Sequence, residues 1–538
     1  MEELHCDYLI IGAGAAGCVV ANRLASKFKN LSIICLEAGG NDNNPFIKIP
    51  AGFSKTVYNK KLNWPYFTSP SKNSYNRSIQ FPRGRVIGGS SSINGHLYVR
   101  GQAADYNGWS QLGCTGWDWE NVLPYFKKAE TRINGDESVR GKSGPLIISD
   151  LTEVHPLTEI FIDTVDKFGI KKNIDYNSGS QEGTSTYQNM IKNSSRWSAA
   201  DAYLKPILKN PNFKLIKNSL AFKLLLNKNK IEGVLFEKKN KRYKVLIKKE
   251  VILSAGSINT PHLLQISGIG NKEELEKIGV RCLHHLPEVG QNLKDHYAVR
   301  IAMRAKGIST YNEKSRGLYL LNEIFKYIFL KKGMLTTPVS SAGVFAKTRS
   351  ELENPNVQML FAPASYQSVN VGTAKLEKLP GMTCGVTQLR PASKGWVKAV
   401  SNKAIDPPEI QPNYLDNEFD KQTIVEGIKL VRKFFSSSPL KDYCIEETIP
   451  GKNISSDEQL LNYAQKNGST IYHPIGTCRM GSDQNAVVDL RLKVNGVKNL
   501  RIIDASIMPE MVSGNTYAAT NMIAEKGSDL ILKNEQKV

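Results

Sequence analysis

The stretch Cys6–Gly17, CDYLIIGAGAAG, decides the fold of this chain. Its apolar first half, Cys6–Ile11, is typical of a strand buried on both faces, and a G-x-G-x-x-G motif follows directly. Cys18–Phe28 predicts a helix, and Leu31–Leu36 predicts a second buried strand. The succession of strand, glycine-rich turn, helix and strand predicts a βαβ unit within an α/β fold.

Each residue of this motif has a physical role in binding a dinucleotide. Gly12 permits the tight turn, Gly14 lets backbone amides approach a pyrophosphate, and Gly17 lets the helix pack close to the strand. Ala15 stands at the helix N-terminus, whose free N–H groups and positive dipole end attract phosphate. Glu37 ends the second strand and can accept hydrogen bonds from an unphosphorylated ribose, which indicates FAD or NAD.

The charge of the chain is high, but its distribution is even. The 538 residues carry a formal net charge of +21, and the basic side chains form only short runs such as Lys239–Lys241. No nucleic-acid recognition motif accompanies them, so we expect solvated charged faces and no nucleic-acid partner. Weak contact with an anionic membrane surface is the alternative.

Cysteine usage and the N-terminus indicate a reducing compartment. The eight cysteines form no CxxC pair and no metal-type cluster, which predicts free thiols and no metal site. A strand begins within a few residues of Met1, where a signal peptide would carry a basic and then an apolar region. We therefore expect a cytoplasmic protein, with peripheral attachment at the inner membrane as the alternative.

The most apolar segment, Leu318–Leu330, is too polar to span a membrane. Asn322, Glu323 and Lys326 interrupt it, and a membrane span needs about 20 apolar residues. We expect an amphipathic helix here, and contact with a membrane or a long apolar substrate is the alternative. Three aromatic side chains are available for packing, namely Tyr319, Phe325 and Phe329.

Two further segments carry unusual runs of small residues. Gly84–Asn94 reads GRVIGGSSSIN, and such residues let a backbone lie flat against a planar ligand and donate N–H groups to it. Gly256–Gly270 reads GSINTPHLLQISGIG and follows the apolar strand Val251–Leu253. We expect the helix of this second segment to begin near Thr260, with Pro261 in its first turn.

Together these two segments resemble the signature patterns of the glucose–methanol–choline (GMC) oxidoreductase family. The resemblance is closest to its bacterial alcohol and choline dehydrogenase branch, and it covers essentially the full length. Further matches follow in fixed order: Ser195–Leu204, SRWSAADAYL; Val289–His296, VGQNLKDH; His473–Gly481, HPIGTCRMG; Leu500–Pro509, LRIIDASIMP; and Ser513–Thr516, SGNT.

The resemblance implies FAD rather than NAD, and a chain folded in two interleaved parts. One part is a Rossmann-like FAD-binding domain assembled from residues 1–150, 212–310 and 465–538. The other is a substrate-binding domain, residues 151–211 and 311–464, built around an antiparallel sheet. The expected fold class is α/β, or α+β overall.

Oxidation of an alcohol needs a base for the hydroxyl proton, and His473 is the candidate. Pro474 disfavours helical backbone at His473, so the imidazole can project from an extended segment. The resemblance implies that this histidine is the catalytic base, whereas the other seven histidines are expected to be structural. It also implies a second catalytic residue, Asn515, whose amide can donate to and accept from the alcohol oxygen but cannot take up a proton.

The resemblance further implies a set of flavin contacts. They are Val86, Gly89, Ser90, Asn94, Ala221, Asp504 near the ribityl or pyrophosphate region, and Thr516 near the pyrimidine edge. Asp504 has an alternative role as the cap of the helix that follows it. Some family members link FAD covalently through a histidine just before the signature asparagine. Ile93 occupies that position here, so we expect non-covalent FAD.

The sequence does not name the substrate. The resemblance implies a small-molecule primary alcohol that is oxidised to an aldehyde, with a quinone, a carrier or O₂ as electron acceptor. Because the resemblance is closest to the bacterial alcohol and choline dehydrogenase branch, it favours a dehydrogenase over an oxidase. Choline is an alternative substrate, because aromatic rings such as those of Trp64 and Tyr472 can hold a trimethylammonium group by cation–π contact. A fatty-acid photodecarboxylase on the same fold is a second alternative, which the intact pair of His473 and Asn515 disfavours.

Overall fold

The computed structural model describes residues 1–367 and 375–535. Two seven-stranded sheets organise this part of the chain, the first partly parallel and the second antiparallel. The predicted ranges 311–464 and 465–538 include residues 368–374 and 536–538, which lie outside the described residues.

The first sheet is built on the strand Glu2–Ile11, which starts earlier than the sequence predicts. Its inner half is buried on both faces, because parallel strands flank it and helices cover the sheet. Across the sheet the strands lie in the order Phe213–Ile216, Ile33–Leu36, Glu2–Ile11, Lys241–Leu253, Lys230–Lys238 and Leu220–Asn227, with Leu500–Ile502 paired to the end of Lys241–Leu253.

The helix Ala15–Lys27 follows the glycine-rich turn and lies close against this sheet. A Cβ atom on Gly17 would sit 1.8 Å from the carbonyl oxygen of Gly12, so only glycine permits this approach. The C-terminal helix Tyr517–Glu535 shares the same apolar core. The predicted α/β class with a Rossmann-type first part is confirmed.

The second sheet carries its own apolar core on one face. Helices Pro156–Phe168 and Glu418–Phe435 cover that face, and the rings of Phe161 and Phe361 stack there with centroids 4.2 Å apart. Its strands lie in the order Cys444–Ile449, Tyr297–Ala305, Gly381–Gln388, Val357–Ala362, Ala342–Ala346 and Gly183–Thr186, and Ser469–Thr470 pairs with Tyr297–Ala305. The opposite face of this sheet lines a cavity.

The chain passes between the sheets at places that differ from the expected domain boundaries. The strand Tyr297–Ala305 was expected in the FAD-binding part, but it is a central strand of the second sheet, as is its short partner Ser469–Thr470. Conversely, Ala200–Leu204 packs into the core of the first sheet. Apolar strands of both sheets have similar composition, so the sequence does not reveal where the chain crosses. The division into two domains itself stays a prediction.

The helix of the second glycine-rich segment spans Gly256–Ile266, so the expected start near Thr260 was wrong. Pro261 lies in its middle, where the proline has no N–H for the carbonyl of Ser257. The hydroxyl of Thr477 donates to that carbonyl at 2.7 Å. A side chain from the HPIGTC segment therefore replaces the missing helical hydrogen bond.

Further helices connect the strands and cover their surfaces: Ala103–Gln111, Trp119–Ala129, Gly317–Phe325 and Asp457–Asn467. Among the described residues, no helix is long and apolar enough to cross a membrane. The predicted amphipathic segment begins as the α-helix Gly317–Phe325 and continues as a π-helical turn, Lys326–Leu330. Its aromatic side chains do not pack inward, which corrects the expectation for Tyr319, Phe325 and Phe329.

Candidate active site

A large cavity lies between the two sheets. It starts at the C-terminal ends of the parallel strands, near Ile11, Leu36 and Ser254, and extends along the uncovered face of the second sheet. Most of the predicted site residues line it together: Gly12, Gly14, Ala15, Glu37, Gly89, Ser90, Asn94, Ala221, His473, Asp504, Asn515 and Thr516. Residues from distant parts of the sequence thus meet around one space.

The first end of the cavity is formed by the glycine-rich turn. Gly14 is the N-cap of the following helix and provides no side-chain cap. The amides of Ala15, Ala16 and Gly17 meet no acceptor in residues 1–367 and 375–535. Free amides at a helix N-terminus are the donors that a pyrophosphate requires.

Glu37 stands at the end of the second strand with its carboxylate in this cavity. Its oxygens accept hydrogen bonds from the amide of Ala13 at 2.9 Å and from the amide of Gly39 at 2.7 Å. Burial raises the pKa of Glu37 to about 7, although these amides act in the opposite direction. Each carboxylate oxygen retains a lone pair for a ribose hydroxyl.

The segment Gly84–Asn94 closes over the glycine-rich turn. A Cβ on Gly89 would lie 2.8 Å from the Cα of Gly14, so the two backbones are in direct contact. Asn94 is held in place because Arg196 Nη1 donates to its Oδ1 at 2.7 Å. The segment therefore presents backbone and small side chains to the cavity.

Val86 does not reach the cavity. Its side chain is buried in a small apolar cluster with Ile47, Leu62 and Ile93. Its backbone forms an isolated bridge with Gly40, and Ile93 of the same cluster lines the cavity where Val86 does not. Gly17 also lies outside the lining, where its contribution is the close packing of helix on strand.

Several buried polar atoms on the cavity wall have no partner in the described part of the chain. They include Nε2 of His262, on the helix Gly256–Ile266, and the hydroxyl oxygen of Tyr517. Buried polar atoms are rarely left unsatisfied, so such atoms point to a bound group. Together with the free amides and Glu37, they fit a dinucleotide such as FAD.

Asp504 combines both roles that the sequence left open. It lines the cavity, and it also caps the short helix Ala505–Ile507 by accepting from the amide of Ser506 at 2.8 Å. Its second oxygen accepts from the amide of Gly256 at 2.9 Å and from the hydroxyl of Thr260 at 2.6 Å. These bonds connect the short helix Ala505–Ile507 to the helix Gly256–Ile266 at the cofactor end of the cavity.

His473 and Asn515 lie side by side on the wall between the cofactor end and the second sheet. Their Nε2 and Nδ2 atoms are 3.2 Å apart, although the residues are 42 positions apart in the sequence. The amide of His473 donates to Oδ1 of Asp295 at 2.7 Å, and the other oxygen of Asp295 accepts from Thr470 and Tyr414. The backbone at His473 is thus anchored by a fully bonded carboxylate.

Two groups fix which ring nitrogen of His473 carries its proton, the carbonyl of Leu389 and the ring of His296. The carbonyl of Leu389 can only accept, so Nε2 of His296, 3.0 Å away, must carry a hydrogen. The neutral ring of His296 then has an unprotonated Nδ1, which accepts from Nδ1 of His473 at 3.0 Å. Nε2 of His473 is left with a lone pair at the cavity surface.

Burial keeps both imidazoles neutral. It lowers the pKa of His296 to about 4. It lowers the pKa of His473 well below 6.5, with further contributions from the adjacent His296 and the positive charge of Arg83. At neutral pH Nε2 of His473 therefore carries no proton and can accept one.

The roles of Asp295 and His296 were missed by the sequence analysis. Both end the segment VGQNLKDH, which carried the family resemblance without an assigned function. The signal that could have identified them was an acidic side chain next to an imidazole within a segment that matches the family. Their contacts with His473 depend on the pairing of the strand Tyr297–Ala305 with Ser469–Thr470, and the sequence does not reveal that pairing.

Aromatic and basic side chains line the cavity beyond His473. The hydroxyls of Tyr58 and Tyr472 are 2.7 Å apart, and Arg83 donates to the backbone carbonyl of Tyr472 at 2.7 Å. The guanidinium of Arg300 projects from the second sheet into the same space. This end is therefore positively charged and rich in phenol groups.

Trp64 also lines this end, but its ring already has partners. Tyr66 stacks on it with centroids 5.7 Å apart, and the guanidinium carbon of Arg85 lies 4.7 Å from its centroid. A cation–π site on Trp64 is thus already engaged by a cation of the chain itself.

Comparison with known proteins agrees with this architecture. The family profile described as GMC oxidoreductase matches residues 6–298 and 391–524. The chain is 39% identical to an alcohol dehydrogenase [acceptor] of Pseudomonas putida, over 98% of this chain and 96% of that protein. It is also 39% identical to an oxygen-dependent choline dehydrogenase of Vibrio vulnificus, over 99% and 95% of the two chains.

Solved structures show the same likeness in three dimensions. A pyridoxine 4-oxidase from Mesorbium loti superposes with a TM-score of 0.88 at 27% identity, over 97% of this chain and 98% of that one. A formate oxidase superposes with a TM-score of 0.92 at 25% identity, over the whole of both chains. The chain belongs to the GMC oxidoreductase family and is an FAD-dependent oxidoreductase.

Proposed function

We propose that this enzyme oxidises a primary alcohol to an aldehyde, with neutral His473 as the base. The observation that carries the proposal is the pairing of Nε2 of His473 with Nδ2 of Asn515, 3.2 Å apart on the cavity wall. A hydroxyl oxygen that approaches both side chains from the cavity would replace their mutual contact, accept from the amide of Asn515 and donate its proton to His473. The cavity extends from this pair toward the glycine-rich turn, where FAD would bind.

The atoms and electrons of the reaction balance with these groups. The hydroxyl proton passes to Nε2 of His473, and the adjacent C–H hydrogen leaves as a hydride. Bound FAD supplies the acceptor for that hydride. Asn515 has no proton to take up, so its part is to orient the oxygen while the C=O bond forms.

We propose that FAD is held without a covalent bond. Ile93 is buried and lines the cavity beside Asn94, and an alkyl side chain forms no bond to the isoalloxazine ring. The groups that would hold FAD are the free amides after Gly14, the carboxylate of Glu37 and the backbone of Gly84–Asn94.

We further propose a dehydrogenase that passes electrons to a quinone or a carrier rather than to O₂. The support is the likeness to the alcohol dehydrogenase [acceptor] of Pseudomonas putida, whereas the equally identical choline dehydrogenase of Vibrio vulnificus is named oxygen-dependent, so the oxygen uptake decides between the two acceptors. With a working substrate, we expect turnover with an artificial quinone and little oxygen uptake. Oxygen consumption at the rate of alcohol oxidation would assign an oxidase.

Choline is disfavoured as a substrate by the charges around the cavity. Its acidic lining residues, Glu37 and Asp504, both lie at the cofactor end and are engaged by amides. The opposite end carries Arg83 and Arg300, which repel a trimethylammonium group. The photodecarboxylase alternative remains disfavoured because a proton acceptor and its amide partner are both in place.

The direct experiment is anaerobic titration of the purified, yellow protein with a panel of alcohols that includes choline, alkanols and aryl alcohols. We expect bleaching of the flavin absorbance by primary alcohols and none by choline. Absence of bleaching by every alcohol would contradict the proposed function, and release of CO₂ from a fatty acid under blue light would favour the decarboxylase.

We also propose that the segment Gly317–Leu330 docks on an anionic membrane surface. Eight large apolar side chains of this segment are exposed: Leu318, Tyr319, Leu321, Ile324, Phe325, Ile328, Phe329 and Leu330. Glu323 faces inward, where it accepts from the amide of Met334 at 2.8 Å. The exposed cations Lys331 and Lys332 follow directly, and this combination of apolar face and lysines is typical of interfacial helices.

Co-sedimentation with vesicles tests this docking. We expect the enzyme to bind vesicles containing phosphatidylglycerol more strongly than vesicles of phosphatidylcholine alone. Replacement of Phe325 and Phe329 by serine should abolish binding, whereas replacement of the isolated exposed Ile174 should not. Equal binding of both lipids, or a dimer in solution that the double variant disrupts, would contradict the proposal.

A further inference from the structure

We propose that Arg300 and Thr383 form a carboxylate-binding subsite, so that the substrate is an alcohol bearing a carboxylate at its far end. This inference rests on the proposed function, because it assigns the substrate class of the same cavity. It concerns the face of the second sheet opposite the cofactor end.

The register of the second sheet places both residues on the cavity face. Arg300 pairs with Gly385, and Thr383 pairs with Ala302, so the two lie diagonally across adjacent antiparallel strands. Diagonal neighbours are about 7–8 Å apart, a separation that an arginine side chain spans. The residue facing Arg300 is a glycine, and the neighbouring lining residues Ala298 and Ala362 are small. Space for a ligand is therefore left beside the guanidinium.

Arg300 has no anionic partner in the described part of the chain. Its guanidinium carbon lies 4.7 Å from the ring centroid of Tyr366, and it forms no ion pair or side-chain hydrogen bond there. The stretch 368–374, SVNVGTA, contains no acidic side chain. A guanidinium that lines a cavity and lacks a carboxylate is suited to binding one from a ligand, through two parallel N–H donors.

Thr383 provides an independent observation. Its side chain is 5% exposed and lines the cavity, yet its hydroxyl oxygen has no hydrogen-bond partner within residues 1–367 and 375–535. A buried hydroxyl without a partner costs free energy unless a ligand satisfies it. One carboxylate would accept from Arg300 and from Thr383 at once.

The donors of the subsite match a carboxylate better than a phosphate. The second guanidinium nearby, that of Arg83, already donates to the carbonyls of Pro82 and Tyr472 at 2.7 Å each. Arg300 and the hydroxyl of Thr383 are therefore the donors left for a ligand, and they match the two oxygens of one carboxylate. The alcohol end of such a substrate would lie at His473, because His296, four residues before Arg300, contacts that ring.

The test compares each ω-hydroxy acid with the 1-alkanol of the same chain length. We expect wild-type enzyme to prefer one or more hydroxy acids in kcat/KM. Arg300→Met should lower kcat/KM for the hydroxy acid by about 10- to 100-fold, mainly through KM, and should affect the 1-alkanol much less. Thr383→Val should give a smaller loss of about 3- to 10-fold, and Arg300→Lys should restore part of the preference. Arg242→Met, on the first sheet, is the matched control.

A binding measurement separates this inference from the proposed function. Titration of the holoenzyme with n-alkanoates, followed by flavin absorbance, reports the subsite even if no alcohol is oxidised. We expect saturable binding in wild type and its loss in Arg300→Met with unchanged FAD content. Equal effects of Arg300→Met on hydroxy acids and alkanols, no alkanoate binding, or tighter binding of alkyl phosphates would overturn the assignment. If no alcohol or hydroxy acid reduces the flavin while alkanoates bind, the proposed function fails instead.

Discussion

Nδ1 of His296 lies 3.0 Å from Nδ1 of His473, and both rings are buried. Since the carbonyl of Leu389 fixes the proton of His296 on Nε2, His473 must donate from Nδ1 and keep Nε2 unprotonated. His296 thus sets the tautomer of the proposed base without touching the substrate itself. It is a positioning residue, comparable to the groups that orient metal-bound or catalytic histidines.

Replacement of His296 by phenylalanine removes the acceptor for Nδ1 of His473. We expect the rate of flavin reduction to fall by roughly 10- to 100-fold, as for other orienting residues, with little change in KM. Gln at this position can present a carbonyl oxygen to Nδ1 and should recover part of the rate. His5→Phe, at the exposed N-terminus, is the control. Equal rates for Phe and Gln variants would contradict the orienting role.

The pH dependence of flavin reduction should report a neutral His473 with a depressed pKa. The neutral form is the active one, and burial lowers its pKa well below 6.5. Activity should therefore stay constant through neutral pH and fall only below pH 6.5, as His473 becomes protonated. The measurement is the limiting reduction rate by stopped flow as a function of pH. An acidic limb centred above neutral pH would show that the base is a different group.

Two glycine variants separate packing from ligand approach in the glycine-rich turn. Gly17→Ala places a Cβ 1.8 Å from the carbonyl oxygen of Gly12, so it should destabilise the fold by about 1–3 kcal/mol or more. A Cβ on Gly14 meets nothing closer than 3.9 Å, so Gly14→Ala should fold normally but bind FAD more weakly. Thermal unfolding and FAD titration of the apoprotein measure both. Normal FAD affinity in Gly14→Ala would place the pyrophosphate elsewhere.

The cofactor should separate from the protein on denaturation. Ile93 stands where a linking histidine would be needed, so acid precipitation should leave the yellow colour in the supernatant and a colourless pellet. Mass spectrometry of the denatured chain should give the mass of the polypeptide alone. A flavin adduct on any residue would refute non-covalent binding.

The parts predicted well from the sequence were those with local signals. The βαβ unit has buried strands, a glycine turn and a helix within forty residues, so each element was visible in its own composition. His473 and Asn515 were assigned by motif, and the structure brings them to 3.2 Å. Pro261 misled the prediction because its missing hydrogen bond is compensated by Thr477, from a distant segment.

The parts that were not predicted depend on register and on long-range contacts. Arg300 faces the cavity only because its strand pairs with Gly385 in this register, and a shift by one residue would turn it to the other face. The tautomer of His473 depends on Leu389, whose carbonyl reaches His296 from 93 positions away in sequence. Val86 was assigned by motif position, but its side chain joined an apolar cluster instead.

The central claim is that an imidazole at the cavity wall takes the alcohol proton as the flavin is reduced. The most direct measurement is anaerobic stopped-flow reduction of the bound flavin by a working alcohol, in wild type and in His473→Ala of equal FAD content. The account predicts a rate lower by roughly 10²- to 10⁴-fold in the variant. An unchanged rate of bleaching would contradict it.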